Sequence, residues 1–202
     1  MTVILPSLAL AQTNAVEPPQ PGRLAETVSA PPFTVGEKFH NRVVQGIGFR
    51  GIVGAAFGAA IGQGTNTPRE WGQGAVGYAD RFASGFGNNL SRQVFAFGIE
   101  SALHEDPRYF PSTAKTKKAR ILNVVKQSYL TKKDDGSDSL AYGRIISAFG
   151  AAQLTNTWQP RSNNSFGDGI ERAFIILGGD AGMACAQEFI PFLRPKSLRN
   201  RH

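Results

Sequence analysis

The feature that most narrows what this chain can fold into is a repeat of very small side chains every four residues. Ala75, Ala79, Ala83 and Gly87 form one such row, and Tyr78, Phe82, Phe86, Leu90 and Val94 form a row of large side chains beside it. On a helix of 3.6 residues per turn the two rows make a groove next to a ridge. A strand would need alternation, which residues 82–99 do not keep, so the period predicts a helix with Arg81, Asn88 and Arg92 on its wet side. The device returns as Gly54, Gly58 and Gly62, a glycine zipper, then as Gly143, Ser147 and Ala151, and again as Gly178, Gly182 and Ala186. Glycine costs roughly 1 kcal/mol against alanine inside a helix, so its recurrence at this spacing predicts close backbone contact with a neighbour. The expected fold is all-α: a compact bundle of about five helices, packed through Gly54, Gly58, Gly62, Ala79, Ala83, Gly87, Gly143, Ser147, Ala151, Gly178 and Gly182.

The ends of the chain read differently from its middle. A short apolar run closes on Ala9-Leu10-Ala11, the small residues that a signal peptidase requires, so residues 1–11 are expected to be a signal-peptide remnant. Residues 12–34 carry Pro18, Pro19, Pro21, Pro31 and Pro32 with almost no large apolar side chain, which predicts a disordered linker. Residues 35–193 are then a single helical domain and residues 194–202 a basic tail. The one cysteine, Cys185, has no partner for a disulfide and is expected to be a buried, inert thiol. An exported protein of the periplasm or outer-membrane surface follows, with nucleic acid removed as a partner.

The membrane question turns on length. A spanning helix needs about 20 mostly apolar residues. The uncharged run around the zipper covers only residues 51–67, Arg50 closes it, and Arg144 and Asp180 interrupt the fourth and last helices. Peripheral association or insertion of the zipper end is therefore the expectation, with an integral membrane protein as the alternative. An outer-membrane barrel lacks the alternating ten-residue segments it requires.

The net charge of +7 is concentrated, because residues 115–133 hold seven basic side chains and no acid. There Ile121, Leu122, Val125 and Tyr129 share one side of a third helix with lysines flanking them, a pattern able to lie on anionic lipid. Lys117, Lys118, Lys126 and Lys132 are the candidate lipid contacts. The competing reading is a solvated basic face over a core stripe. The expected partners are an anionic membrane surface or a second copy of the chain.

Two junctions carry motifs. Glu70-Trp71-Gly72-Gln73-Gly74 precedes the second helix, and Leu103-His104-Glu105-Asp106-Pro107-Arg108-Tyr109-Phe110 follows it. Trp71 and Trp158 are expected to plug bundle ends. His104, Glu105 and Asp106 place an imidazole beside two carboxylates, which suits acid-base chemistry and leaves open a small hydrolase or lipid-modifying enzyme. Neighbours on a helix diverge by about 100 degrees, so convergence requires the helix to end there, and Pro107 disfavours helix at Asp106. A structural role is the stronger expectation, with Asp106 pairing Arg108 and His104 or Glu105 bonding loop backbone. His40 and His202 complete no ligand set at helical spacing, so neither a metal nor a cofactor is expected.

With Asn156-Thr157-Trp158-Gln159-Pro160, these motifs resemble the hallmark of an uncharacterised family of secreted, acidobacterial-type proteins over most of residues 39–192. The resemblance implies export and a structural role for Trp71, Gly72, Gly74, His104, Asp106, Pro107, Arg108 and Tyr109, and it brings no activity. The chain departs from the family pattern in its Lys-rich third helix. The function expected is that of a non-enzymatic cell-envelope protein.

Overall fold

The computed structural model describes residues 27, 28, 30–194 and 198. The α-helices bounded within the described residues are six: α1 (Val35–Ile47), α2 (Phe49–Thr65), α3 (Gly74–Ala102), α4 (Lys117–Tyr129), α5 (Tyr142–Thr155) and α6 (Phe166–Phe189). Two three-residue strands, β1 (Leu130–Lys132) and β2 (Asp138–Leu140), form an antiparallel hairpin. The fold is the all-α bundle that the sequence predicts, with its first helical stretch divided at Gly48.

Local chemistry explains where the helices begin and break. Gly48 is extended (φ −76°, ψ 176°) while its N–H still bonds the Val44 carbonyl at 3.0 Å. A Cβ there would strike that carbonyl, so the bend needs glycine. α1 opens on a capping box between Thr34 and Glu37, and α6 on one between Ser165 and Asp168. α3 ends with His104 in the left-handed region (φ 56°) and the Glu105 N–H bonded to the Glu100 carbonyl at 2.9 Å, a Schellman closure.

α3 is the axis of the bundle. α1 and α2 pack along one side of it and α5 along the other, α6 packs on α5, and α4 packs on α6. Arg81 meets Gln63 near the start of α3 and Arg42 meets Glu100 near its end, so α1 and α2 run antiparallel to α3. The end holding the α2–α3 turn also holds the start of α6. The opposite end gathers the start of α1, the motif after α3, the hairpin, α4 and the end of α6.

The small-residue rows are only partly where the period suggests. On α5, Gly143, Ser147 and Ala151 are buried, and Thr155 extends the row. On α2 the inward row is Gly51, Ala55 and Ala59, and a Cβ at Gly85 of α3 would lie 3.9 Å from Ala55. Gly54 and Gly58 face away with open space beside them, and Gly62 abuts Arg81 instead of a helix backbone. On α3, Ala79 and Ala83 are exposed, and a Cβ at Gly87 would meet only the Trp158 ring, at 3.6 Å. Gly178 and Gly182 of α6 also face open space. Periodicity defines rows around a helix but not which row meets a neighbour, and in α2 the packed row is displaced by one residue from the zipper.

The reverse side of this correction concerns α3. Its inward residues are Gly77, Arg81, Ser84, Asn88, Gln93, Ala96 and Glu100, so the face expected to be wet is the one that packs. Arg92 is also engaged, paired with Asp180. Cys185, expected inside, is exposed.

The domain boundaries extend as well. Thr27 pairs with Ser112 across a β-bridge, and Val28 packs with Phe110 and Leu198. Arg194 is buried and donates to the Gln187 and Glu188 carbonyls at 3.0 Å each. Both flanks expected to lie outside the domain therefore contribute to it. The signal remnant at residues 1–11, residues 12–26 of the linker, and the tail other than Arg194 and Leu198 lie outside the described residues.

What is buried is unusual. Among the described residues, no isoleucine, methionine or tryptophan is buried, and the buried apolar side chains are mostly alanines. Phe57 (68%), Ile175 (67%), Val94 (72%) and Phe192 (78%) stand exposed while Lys38, Glu100, Glu105 and Glu188 are almost fully covered.

This geometry separates two glycines. Gly143→Ala would drive a methyl into the Glu100 side chain and to 3.1 Å from Glu105 Oε2, and is expected to lower stability by about 1–3 kcal/mol. Gly58→Ala should instead hold stability or raise it by up to ~1 kcal/mol through helix propensity. Thermal melts of the two variants in detergent measure the difference, and equal losses would contradict the outward setting of Gly58.

Candidate functional site

The motif after α3 converts a helix end into a hub. Reversal at His104 sends the next residues alongside the hairpin: the Asp134 N–H bonds the His104 carbonyl and the Asp106 N–H bonds the Lys132 carbonyl, both at 2.8 Å. Glu105 points inward, where its carboxylate accepts from the first-turn N–H groups of α5, Tyr142 at 3.1 Å and Gly143 at 2.9 Å. The absence of a side chain at Gly143 makes room for it. Burial pushes the Glu105 carboxyl above the usual glutamate range, against the lowering effect of those two hydrogen bonds, with the nearby Glu100 charge adding to the rise.

Asp106 and Arg108 form a buried bidentate pair, and Arg108 also donates to the Pro31 carbonyl and covers the Phe33 ring at 3.9 Å. Thr131 donates to the Asp106 carbonyl at 2.8 Å. The motif thereby ties α3, α5, the hairpin and the N-terminal segment together. His104 is exposed, with Nδ1 3.3 Å from the Ser101 carbonyl. The three side chains of the hydrolase reading diverge: one faces out, one caps α5, and one is held by Arg108. They form no acid-base constellation.

A second hub closes the same end from α6. The buried Glu188 carboxylate accepts from Tyr109 Oη at 2.6 Å, the Ser112 N–H at 3.0 Å and Arg120 Nε at 2.7 Å. Asn123 donates to Tyr109 Oη and to the Phe110 carbonyl, both at 3.1 Å, and Gln127 receives the Phe110 N–H at 2.9 Å. Burial, with the hydrogen bond to Glu188 and its charge, pushes the Tyr109 phenol well above its ordinary range, so Tyr109 remains a donor. Glu188-Phe189 with a proline close behind belongs to the family resemblance, but the sequence has no local signal for Glu188 as a hub, because the partners of its carboxylate lie 65 to 79 residues away.

At the opposite end Arg81 organises the Trp71-Gly72-Gln73-Gly74 turn. Its guanidinium donates to the carbonyls of Thr67 (2.8 Å), Pro68 (2.8 Å), Gly72 (2.9 Å) and Gly77 (2.9 Å) and to Gln63 Oε1 (2.7 Å). Gly72 and Gly74 have φ of +64° and +85°, where other residues are strained, and a Cβ at Gly77 would lie 2.8 Å from Arg81 Nη1. Trp71 is not a plug. It and Trp158 flank an open groove of about 570 Å³ floored by Ala83 and Gly87 of α3, and Trp158 donates to Ser84 Oγ at 3.1 Å.

Between the two ends lie stretches almost free of charge: residues 51–67 of α2 and its turn, 82–99 of α3, 145–159 of α5 and its turn, and 173–190 of α6. The charged residues they contain are Arg92 and Asp180, paired with each other, and Glu188, held by Arg120. Arg144, just before the α5 stretch, donates to the Gln127 carbonyl. Arg50 faces outward at the α1–α2 bend and reaches the Leu193 carbonyl at 2.5 Å. The outer surface of this belt includes Ile52, Val53, Phe57, Ile61, Val94, Phe95, Ile146, Phe174, Ile175 and Met183.

α4 repeats the inversion on a small scale. Asn123, Val124 and Gln127 are its inward residues, while Ile121, Leu122, Val125 and Tyr129 are exposed, so the apolar stripe is not a core stripe. Lys117 and Lys118 are exposed in its first turn. Lys132 differs from its expected role, because it sits 3.8 Å from Asp138 and 6.0 Å from the Phe110 ring centroid. Lys126 is partly covered. Among the described residues, no three His, Cys, Asp or Glu side chains gather as metal ligands. No known protein family, curated protein or solved structure matches the chain.

Two outcomes follow. Glu188→Ala takes the carboxylate from the half-buried Arg120 and leaves Tyr109 Oη and the Ser112 N–H without their acceptor, and is expected to cost about 1–3 kcal/mol, while His104→Gly should hold or gain stability because a left-handed non-glycine residue costs roughly 1–2 kcal/mol. Denaturant titrations of the two variants measure this contrast. The Glu105 effect has a defined sign with pH: a carboxyl whose folded pKa is raised stabilises the fold most below its ordinary value and loses that contribution as pH rises through the folded value. Glu105→Gln is therefore expected to gain on the parent chain as pH rises above the ordinary glutamate range, read as the change in the difference between their unfolding free energies.

Proposed function

We propose that the protein is a non-enzymatic helical protein of the cell envelope that sits in a lipid bilayer, its charged side chains turned inward and its large apolar side chains turned to acyl chains. One observation carries this reading: the bundle is polar inside and apolar outside. Exposed Phe, Ile and Val side chains each stand to gain on the order of 1.5–3 kcal/mol on leaving water. A handful of them equals the whole stability of an ordinary domain, about 5–15 kcal/mol, so a solvated monomer of this form would associate or rearrange. In hydrocarbon the same surface is at home, and the interior hydrogen bonds replace the hydrophobic effect as the cohesion between helices.

The dimensions agree. The belt, residues 82–99 of α3 and 173–189 of α6, is 18 and 17 residues long with Arg92, Asp180 and Glu188 as its charges, or about 26–27 Å at 1.5 Å per residue, close to the ~30 Å hydrocarbon thickness. The stretch Val35–Thr65, which bends at Gly48, is by length and composition alone apolar enough to cross a membrane, and 22% of its apolar window is buried within the bundle. Trp71 and Trp158 at one end of the belt, and the exposed Tyr129 and Tyr142 at the other, are where interfacial aromatic residues are expected. The sequence argument against spanning rested on Arg50, Arg144 and Asp180. Asp180 is paired inside, Arg144 donates to backbone, and Arg50 reaches a carbonyl, so none stands bare in the belt. Export, read from Ala9-Leu10-Ala11, places this membrane in the envelope.

Alkaline carbonate extraction tests the reading, with the native Cys185 as a reporter on the outer face of α6. The protein is expected to stay in the membrane pellet and to need detergent for release. Cys185 should resist a charged thiol reagent in membranes and react once detergent is added. Recovery as a monomer in the carbonate supernatant, with Cys185 fully reactive, would overturn it.

A further inference from the structure

We infer that α4 is an interfacial helix that seats on an anionic phospholipid surface, with Lys117 and Lys118 at the headgroups and Ile121, Leu122, Val125 and Tyr129 at the acyl boundary. This rests on the lipid-embedded reading of the bundle and adds which helix meets the surface and which lipid it selects.

The first argument is rotational. α4 is held in one setting by polar bonds on its inner face: Asn123 to Tyr109 Oη and the Phe110 carbonyl, Gln127 to the Phe110 carbonyl at 2.5 Å, and Arg120 to Glu188. It cannot turn its apolar stripe inward without breaking that network. Ile121 and Leu122 each remain 52% exposed, with Val125 and Tyr129 on the same face one and two turns further on. The second argument is length. Thirteen residues span about 20 Å, too short to cross a bilayer, so a helix with this outward stripe lies along the boundary.

The third argument is charge. Lys117 and Lys118 occupy the first helical turn, and Lys115 precedes it, all exposed and with no acid in the helix. Cations near a helix N-terminus oppose the macrodipole, so helix stability does not account for them. An anionic surface does, and it lies toward the end of the apolar belt, because α4 packs on the last turns of α6 at Ala184. Lys132, paired with Asp138, is not among these contacts.

The experiment uses the full chain in detergent with Cys185→Ser and Leu122→Cys, the new thiol carrying an environment-sensitive fluorophore. Phosphatidylglycerol and phosphatidylcholine are titrated separately, with inorganic phosphate as a third arm. The expected result is a blue shift at lower phosphatidylglycerol concentration. Lys117→Gln with Lys118→Gln should weaken that response roughly thirtyfold, from about fivefold for each lysine, and leave the phosphatidylcholine response unchanged. Raising salt should reduce the difference between the lipids. A blue shift from phosphate alone would mean an anion site without lipid and would overturn the proposal. So would equal responses to both lipids, no shift with either, or a shift that tracks protein concentration and therefore reports a second copy. Cys185 protection in the otherwise unaltered chain reports separately on whether the bundle is embedded, so failure at α4 and failure of the parent reading give different results.

Discussion

A buried charge must be matched by hydrogen bonds or opposite charge, and the arrangement of this bundle follows from meeting that demand in a few places. Glu188 draws together α6, α4 and the segment after α3; Glu105 joins that segment to α5; Arg81 closes the α2–α3 turn on five oxygens. The carboxylates of Glu188 and Glu105 are satisfied by partners 37 to 79 residues away, and Arg81 by groups within 18 residues. Removing one partner strands the others in a medium where an unpaired charge costs several kcal/mol. These hubs specify which helix ends meet, and they leave large apolar side chains on the helix exteriors.

Small residues perform the complementary task along the seams. Gly51, Ala55 and Ala59 bring α2 onto α3, and Gly143, Ser147 and Ala151 bring α5 against it. Close approach gives dispersion contacts and backbone proximity that would be weak reasons to associate in water but suffice where surrounding lipid offers no hydrophobic alternative. Gly54, Gly58, Gly178 and Gly182 have the same spacing on outward faces. Their presence shows that glycine content and packing are not one property: a row packs only if the partner's backbone lies opposite it.

The inversion of polarity ties the fold to its surroundings. In water the outward Phe, Ile and Val side chains would compete with the native seams for one another, whereas in a bilayer they are neutral toward them. The ion pairs Arg42–Glu100 and Arg92–Asp180 behave in the opposite way, gaining strength as the medium around them loses polarity. Both tendencies favour one folded form in lipid. The polar inner face of α4 extends this logic to the bundle's end, where a helix too short to span still holds its apolar stripe outward.

Element identity was legible in the sequence. The period of 3.6 along residues 75–102, the divergence of His104, Glu105 and Asp106 at a proline, and the pairing of Asp106 with Arg108 are local properties, and a local pattern carries them. The α5 row was legible for the same reason, since that helix has one small face. Which face of α2, α3, α4 and α6 turns inward was not, because the familiar inference from apolar to buried assumes that large apolar side chains pack inward, and here many are exposed. That assumption placed Arg81 and Asn88 on the wet side and Ile121 in a core. Cys185 was expected inside by the same logic. Tertiary structure alone decided these points, together with the roles of Glu188 and Arg81, since a buried carboxylate or guanidinium is recognisable only by partners that folding brings to it. Sequence by itself determined the helices and their ends; the direction each helix faces was decided by where its charges could be satisfied.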